Sequence, residues 1–334
     1  MSLHNSDPRS NHPKQNGPST QPEGYHAPRF RSAFLLPRYW GIWLAMGLLR
    51  LLSIMPRRVL AILGIMVGDL YRLLNAKRRR IAAVNIELCF PQLSDADRAR
   101  LVRRHFRLFA QCLLDFPLLW FGNPKRIRKQ VRIHGLENYD IPFSRGRKII
   151  ILTAHFVALE FGAAALSARF PLLGMIKPLS NPLVDWFIAH GRKRFDPRGR
   201  LLLREQGLRP IIREIRSGLG FYYLPDEDFG AEKSTFVPFF ATQVARLTAL
   251  GRLAQLSDAV VIPCFTYRLP NGQGYEVRIE PPLEGFPSGD VIADTQRMNA
   301  ELEKHIALAP EQYMWTFKYF KTRPGGAASP YEQH

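Results

Sequence analysis

Residues 147–170, RKIIILTAHFVALEFGAAALSARF, decide how the chain is read. Within them IIILTA, residues 149–154, is a short continuous apolar run rich in β-branched side chains. Such a run predicts a strand buried on both faces, as in a parallel sheet. His155 follows at once and Glu160 comes five positions later. The segment FGAAALSARF then predicts a helix packed closely through small residues. Further strands are expected at 220–224, 259–267 and 275–279, with helical stretches between them. Alternation of this kind gives an α/β fold, a mixed and mostly parallel sheet flanked by helices, whose sites gather beyond the carboxyl ends of the strands.

That placement gives His155 its interest. A histidine at the end of a buried strand can present its imidazole in a cleft and take a proton from an incoming hydroxyl near neutral pH. Glu160 is expected to hold the other ring nitrogen, fixing the tautomer and stabilising the imidazolium, the division of labour seen in hydrolase triads. On one continuous helix, five positions separate two side chains by about 140°, at roughly 100° per residue. The pair therefore meets only if His155 lies in a loop and Glu160 in the first helical turn. Taken alone, a His and a Glu at this spacing fit a satisfied structural histidine better.

Working outward, the first thirty residues are rich in Ser, Asn, Gln, Pro and Gly without an apolar stretch. Residues 1–31 read as a disordered tail, and no secretory signal is present. Residues 40–55, WGIWLAMGLLRLLSIM, carry one charge, which is borderline for a spanning helix, and a second apolar run covers 59–70. Tyr39, Trp40 and Trp43, flanked by Arg38, Arg57 and Arg58, resemble the belt found where a helix meets lipid headgroups. Residues 32–80 are thus expected to anchor the chain to an anionic membrane, spanning it or lying along it, with a buried core helix as the bland alternative. The remainder, 81–334, forms the α/β body. Ser94-Asp95-Ala96-Asp97 supplies an N-cap and early acidic residues for a long helix.

Forty-seven basic residues against 28 acidic ones leave a net charge of +19. A field of that sign draws in anionic lipid, an acidic protein or nucleic acid. No nucleic-acid-binding motif accompanies it, so nucleic acid is not expected as a partner. Cys89, Cys112 and Cys264 show no C-x-x-C spacing, which argues against a disulfide framework and a zinc site. No metal and no cofactor is expected.

Several motifs carry a resemblance in the same order along about 290 residues. They are PRYW (37–40), NIELCFPQLS (85–94), HFVALEFGA (155–163), NPLVDW (181–186), HGRKRF (190–195), LPDEDFG (224–230) and STFVPFF (234–240), then PEQYMW and FKTRP near the end. Together they make the chain resemble the late acyltransferases of lipid A biosynthesis, above all those that transfer lauroyl groups. The resemblance implies a glycerolipid acyltransferase-like fold, at the cytoplasmic face of the inner membrane. It also implies transfer of a fatty acyl chain from acyl carrier protein to a hydroxyl of a hydroxyacyl chain on a lipid A precursor, Kdo2-lipid IVA. His155 and Glu160 are then the general base and its orienting carboxylate. Arg192 of HGRKRF would grip lipid phosphate or stabilise the oxyanion, and Asp226 of LPDEDFG would orient Arg192 or a neighbouring base. Asp228 and Gly230 would shape the turn after a strand.

No nucleophilic serine or cysteine is required, in keeping with the absence of a G-x-S-x-G elbow. The chain departs from the resemblance at Lys177, where an arginine is expected, and at Phe317 and Tyr319, where the family is more polar or basic. Lys177 is accordingly a substrate-contact candidate whose headgroup partner differs. A related acyltransferase with another lipid acceptor and a binding protein that lost catalysis remain the alternatives.

Overall fold

The computed structural model describes residues 25–332 apart from residue 197. Five helices come first: α1 (Trp40–Leu52), α2 (Arg57–Leu74), α3 (Ala76–Cys89), α4 (Asp95–Phe121) and α5 (Pro124–Gln130). Strands and helices then alternate through β1 (Val131–His134), α6 (Glu137–Ser144), β2 (Lys148–Leu152), α7 (Leu159–Ser167), β3 (Leu172–Ile176), α8 (Pro182–Lys193), β4 (Arg200–Leu203), α9 (Leu208–Arg216) and β5 (Gly220–Tyr223). A hairpin of β6 (Ser234–Phe239) and β7 (Thr242–Leu247) leads to α10 (Ala249–Ser257), β8 (Ala259–Arg268), β9 (Tyr275–Ile279) and α11 (Val291–Leu308).

Seven strands form one sheet in the order β1-β9-β8-β2-β5-β3-β4. Every neighbouring pair is parallel except β8 with β9. The expected mixed, mostly parallel α/β sheet is therefore present. β2 is central because its side chains are apolar on both faces. Ile150 and Leu152 join a core that includes α9 and α11, while Ile149 and Ile151 join a second core with α7. A parallel strand covered on both sides needs this unbroken run of hydrophobic residues.

The α4 cap forms as expected, the Ser94 hydroxyl accepting the Asp97 N–H at 3.2 Å. α4 is also the surface on which the amino-terminal helices rest. α2 turns Leu60, Ala61, Gly64 and Gly68 inward, and its glycines let the two backbones approach closely. A Cβ at Gly68 would stand 2.6 Å from the Arg107 Cα, closer than any side chain tolerates. Asp69 ties the helices together, accepting from Arg107 (3.0 and 2.7 Å) and Arg103 (3.1 and 3.0 Å). Those guanidinium hydrogen bonds, Arg107's first, hold its carboxyl far below the usual range.

The outward faces are a different matter. Trp40, Leu44, Leu48 and Leu51 on α1, with Ile62, Met66, Leu70, Leu73 and Leu74 on α2, are exposed. At thirteen residues α1 is about 20 Å long, short of a hydrocarbon core of roughly 30 Å. Among the described residues no single helix is long and apolar enough to cross a membrane. The pair formed by Arg57–Leu74 and Ala76–Cys89, bent by 94°, passes by length and composition together. Spanning by the 40–55 run is thus not supported, because the segment breaks into a short helix and a turn.

Of the expected tail, residues 1–24 lie outside the described residues. At its end Tyr25 and His26 lie against the sheet edge, and Phe30 packs on Phe34 and Trp186. Tyr25 bridges Leu202 in an antiparallel sense, the His26 N–H donates to the Leu201 carbonyl at 2.8 Å, and the Tyr25 hydroxyl donates to Glu214 at 2.5 Å.

Candidate functional site

The paired strands β2 and β5 place the two central groups by register. Leu152 lies opposite Tyr223, and His155 and Asp226 each follow three residues later in the adjacent loops. The site therefore lies beyond the carboxyl ends of neighbouring parallel strands, where open α/β sheets bind ligands. Asp226 accepts twice from one residue, from the His155 backbone N–H at Oδ2 (2.8 Å) and from ring Nδ1 at Oδ1 (2.7 Å). A carboxylate at Nδ1 holds the ring proton there and leaves Nε2 as the basic nitrogen. The His155 side chain is 17% exposed and that of Asp226 0%, so only the imidazole can be reached from outside.

Burial opposes the charged imidazole, but the Asp226 carboxylate, its hydrogen bond and the nearby Glu227 prevail and raise His155 above its ordinary value. Burial likewise raises the Asp226 carboxyl, and the imidazolium with the buried Arg246 outweighs it, leaving the group low. Arg246 is fully buried, donating to the Asp226 carbonyl at 2.6 Å and to Asn299 at 2.7 Å. The far side of the loop is held from the carboxyl-terminal region. The Met314 N–H donates to the His155 carbonyl at 2.8 Å and the Val157 N–H to the Gln312 carbonyl at 2.9 Å. The Phe317 ring stands 5.0 Å from the imidazole, centroid to centroid.

His155 opens into a cavity of about 660 Å³. Phe116, Leu119 and Trp120 of α4, Ala163 of α7 and Met175 of β3 give it long apolar walls. Glu160, Lys177, Arg192 and Arg204 line the same space. His155 does lie in a loop and Glu160 in the first turn of α7, as the spacing required. Their side chains nonetheless part. Glu160 accepts a forked pair from Arg192, from Nε at 3.1 Å and from Nη2, and the ion pairs of His155 are with Asp226 and Glu227. The carboxylate that meets the imidazole is Asp226, while Glu160, expected there, is engaged by a guanidinium from α8. The Glu160 charge, opposed by burial, raises Arg192 further above its ordinary value. Asp226 accordingly pairs with His155 and not with Arg192.

Lys177 lies exposed at the cavity lining just after β3, with no ion pair among the described residues. Asp228 and Gly230 build the turn behind the site. Asp228 accepts the Gly230 N–H at 3.0 Å and both the N–H and the hydroxyl of Thr322, at 2.7 and 2.8 Å, while Gly230 takes φ +90°. Glu227, Arg204 and Arg246 were not singled out in the sequence. The acidic run 226–228 directly past a strand was the available signal for Glu227, whereas nothing local marks the two arginines.

The three cysteines are buried, and burial pushes their thiols up, Cys112 to about 12. None is placed to act as a thiolate nucleophile. Among the described residues no group of three or more His, Cys, Asp or Glu side chains is arranged to hold a metal ion.

Residues 27–322 match the family model described as bacterial lipid A biosynthesis acyltransferase. The lipid A biosynthesis lauroyltransferase of Escherichia coli K12 is 36% identical over 305 residues, covering 91% of this chain and 99% of that protein. The palmitoleoyltransferase of the same organism is 34% identical, covering 91% and 98%, and its myristoyltransferase is 34% identical, covering 92% and 95%. A solved structure of a 1-acyl-sn-glycerophosphate acyltransferase from Thermotoga maritima aligns at 14% identity and a TM-score of 0.37, covering 76% of this chain and 98% of that one, too distant to bear on the reading.

Proposed function

The chain belongs to the bacterial lipid A biosynthesis acyltransferases, and on that premise we propose that it transfers an acyl chain from acyl carrier protein to a hydroxyl of the hydroxyacyl chain of Kdo2-lipid IVA. The observation that carries this reading is the His155–Asp226 couple at the edge of an apolar cavity of about 660 Å³. In the first step Nε2 of His155 takes the proton of the acceptor hydroxyl as its oxygen attacks the thioester carbonyl. In the second the tetrahedral intermediate collapses, the carbon–sulfur bond breaks, and the imidazolium returns the proton to the departing thiolate. Asp226 holds the ring in the useful tautomer and stabilises the imidazolium between the two steps. The acyl chain lies along the walls formed by α4, α7 and β3.

Arg192 stands on the cavity wall with Nε and Nη2 engaged by Glu160, leaving Nη1 without a hydrogen bond among the described residues. It serves the developing oxyanion or a lipid phosphate, and Lys177 serves the headgroup at the rim. The family relatives carry lauroyl, palmitoleoyl and myristoyl names at 34–36% identity, and lauroyl is the chain proposed here. The exposed apolar faces of α1 and α2, with Arg38, Arg58 and Lys77 near them, would rest the protein in the cytoplasmic face of the inner membrane. A net charge of +19 suits that anionic surface and an acidic carrier protein.

Purified protein incubated with lauroyl carrier protein and Kdo2-lipid IVA should yield one added acyl ester by mass spectrometry. Product only on another lipid, or no product on any, overturns the proposal.

A further inference from the structure

The basic nitrogen of His155 does not face open space alone. Glu227 Oε1 lies 3.5 Å from Nε2, on the side of the ring away from Asp226. Glu227 is itself clamped, accepting from Arg204 Nη1 at 2.8 Å and Nη2 at 2.9 Å, a planar fork that fixes a carboxylate's orientation. Arg204 is seated in turn, its guanidinium 5.7 Å from the centre of the Phe229 ring, and it lines the cavity. Three elements thus meet at one imidazole: the loop after β2, the loop after β5 and the turn after β4.

We infer that Glu227 and Arg204 are positioning residues for the transfer, Glu227 by facing the imidazolium formed at Nε2 and Arg204 by holding Glu227 in place and offsetting its charge. The inference rests on His155 being the base. A second carboxylate near a histidine favours its protonated form, and a cation bound to that carboxylate weakens the effect. The charged groups acting on His155 are Asp226 and Glu227 from the loop after β5 and Arg204 from the turn after β4, while the carboxyl-terminal segment contributes the uncharged Phe317 ring. Of these, Asp226 and Glu227 raise the ring's proton affinity and Arg204 lowers it. The two outer residues therefore work in opposite directions on one atom. When the hydroxyl proton moves to Nε2, Glu227 meets the new positive charge. When that proton leaves with the thiolate, Glu227 returns to its pairing with Arg204 alone.

The test is the acid limb of the kcat/KM–pH profile, read beside an NMR titration of the His155 ring in the full-length protein. Glu227→Gln should carry both to lower pH by about one unit, and Arg204→Met should carry both to higher pH. Arg204→Lys should restore part of the shift, since it keeps the charge without the fork. Residues that merely support the fold would change rate or melting temperature and leave the titration where it was. Both variants leaving the titration unmoved, or moving it in the same direction, overturns the inference. Should Arg204→Met fail to fold, the near-isosteric Glu227→Gln decides alone. A His155→Ala protein that kept full activity would remove the base assignment while the ring titration of the parent still reported on Glu227, so the two failures are distinguishable.

Discussion

Two charged pairs meet at one cavity, and they differ in which members reach it. In His155–Asp226 the carboxylate is fully buried and the imidazole lines the cavity, so the member that can change charge near neutral pH faces the open space. In Arg192–Glu160 both members touch the cavity and the cation stays charged at any working pH. The first arrangement has the chemistry to exchange a proton, and the second presents a fixed charge. Proximity in sequence would have joined His155 to Glu160 instead.

The largest test of that contrast is His155→Ala, which should lower acyl transfer by roughly 10³-fold or more, the upper part of what a positioned base supplies. Asp226→Asn comes next, at roughly 10²–10³-fold, because an amide can favour the wrong ring tautomer while leaving the shape intact. Arg192→Lys should cost about 10²-fold, near 3 kcal/mol, by losing the fork that Glu160 aligns. Glu160→Gln should be milder, about tenfold, since the guanidinium keeps its charge. All four are read as kcat/KM for acyl transfer with melting temperatures alongside. A Glu160→Gln defect as deep as that of Asp226→Asn would break the comparison and return the orienting role to Glu160.

The smallest effect is in stability against pH, and its sign follows from the two shifts. Asp226 is lower in the folded protein than unfolded, so its contribution is present above the ordinary carboxylate value near 3.9 and is lost as pH falls through its folded value. His155 is raised, so its contribution is full below about 6.5 and is lost as pH rises through its folded value. Melting temperature should therefore decline slightly as pH rises from about 6.5 through that folded value in the parent and not in His155→Ala. An identical slope in both proteins would uncouple the ring from Asp226.

Much of the sheet could be read from the chain because its central strands are buried on both faces. The runs at 149–154, 220–224, 259–267 and 275–279 correspond to β2, β5, β8 and β9 within two residues at either end. The four-residue strands β1 and β4 escaped notice, since neither is long enough to show a period, and β3 follows Pro171 in a segment that reads equally as a helix tail. The hairpin β6–β7 was also missed, its Pro238 and polar residues masking a strand. In the site, His155 and its loop were legible from what precedes them. The partner came only through the resemblance, which left Asp226 to orient Arg192 or a neighbouring base, because Asp226 meets His155 through the register of β2 on β5 and not through any local spacing. The amino-terminal helices were legible as apolar, but the pattern does not reveal that Gly64 and Gly68 commit one face of α2 to α4.

The backbone contacts from Met314 and Gln312 to the loop of His155 bear on the order of synthesis. The ribosome releases the histidine, both strands that carry the couple and the cavity walls long before it releases the segment that tethers the loop. The loop that presents the imidazole is thus completed by contacts far apart in sequence, which only the folded sheet brings together.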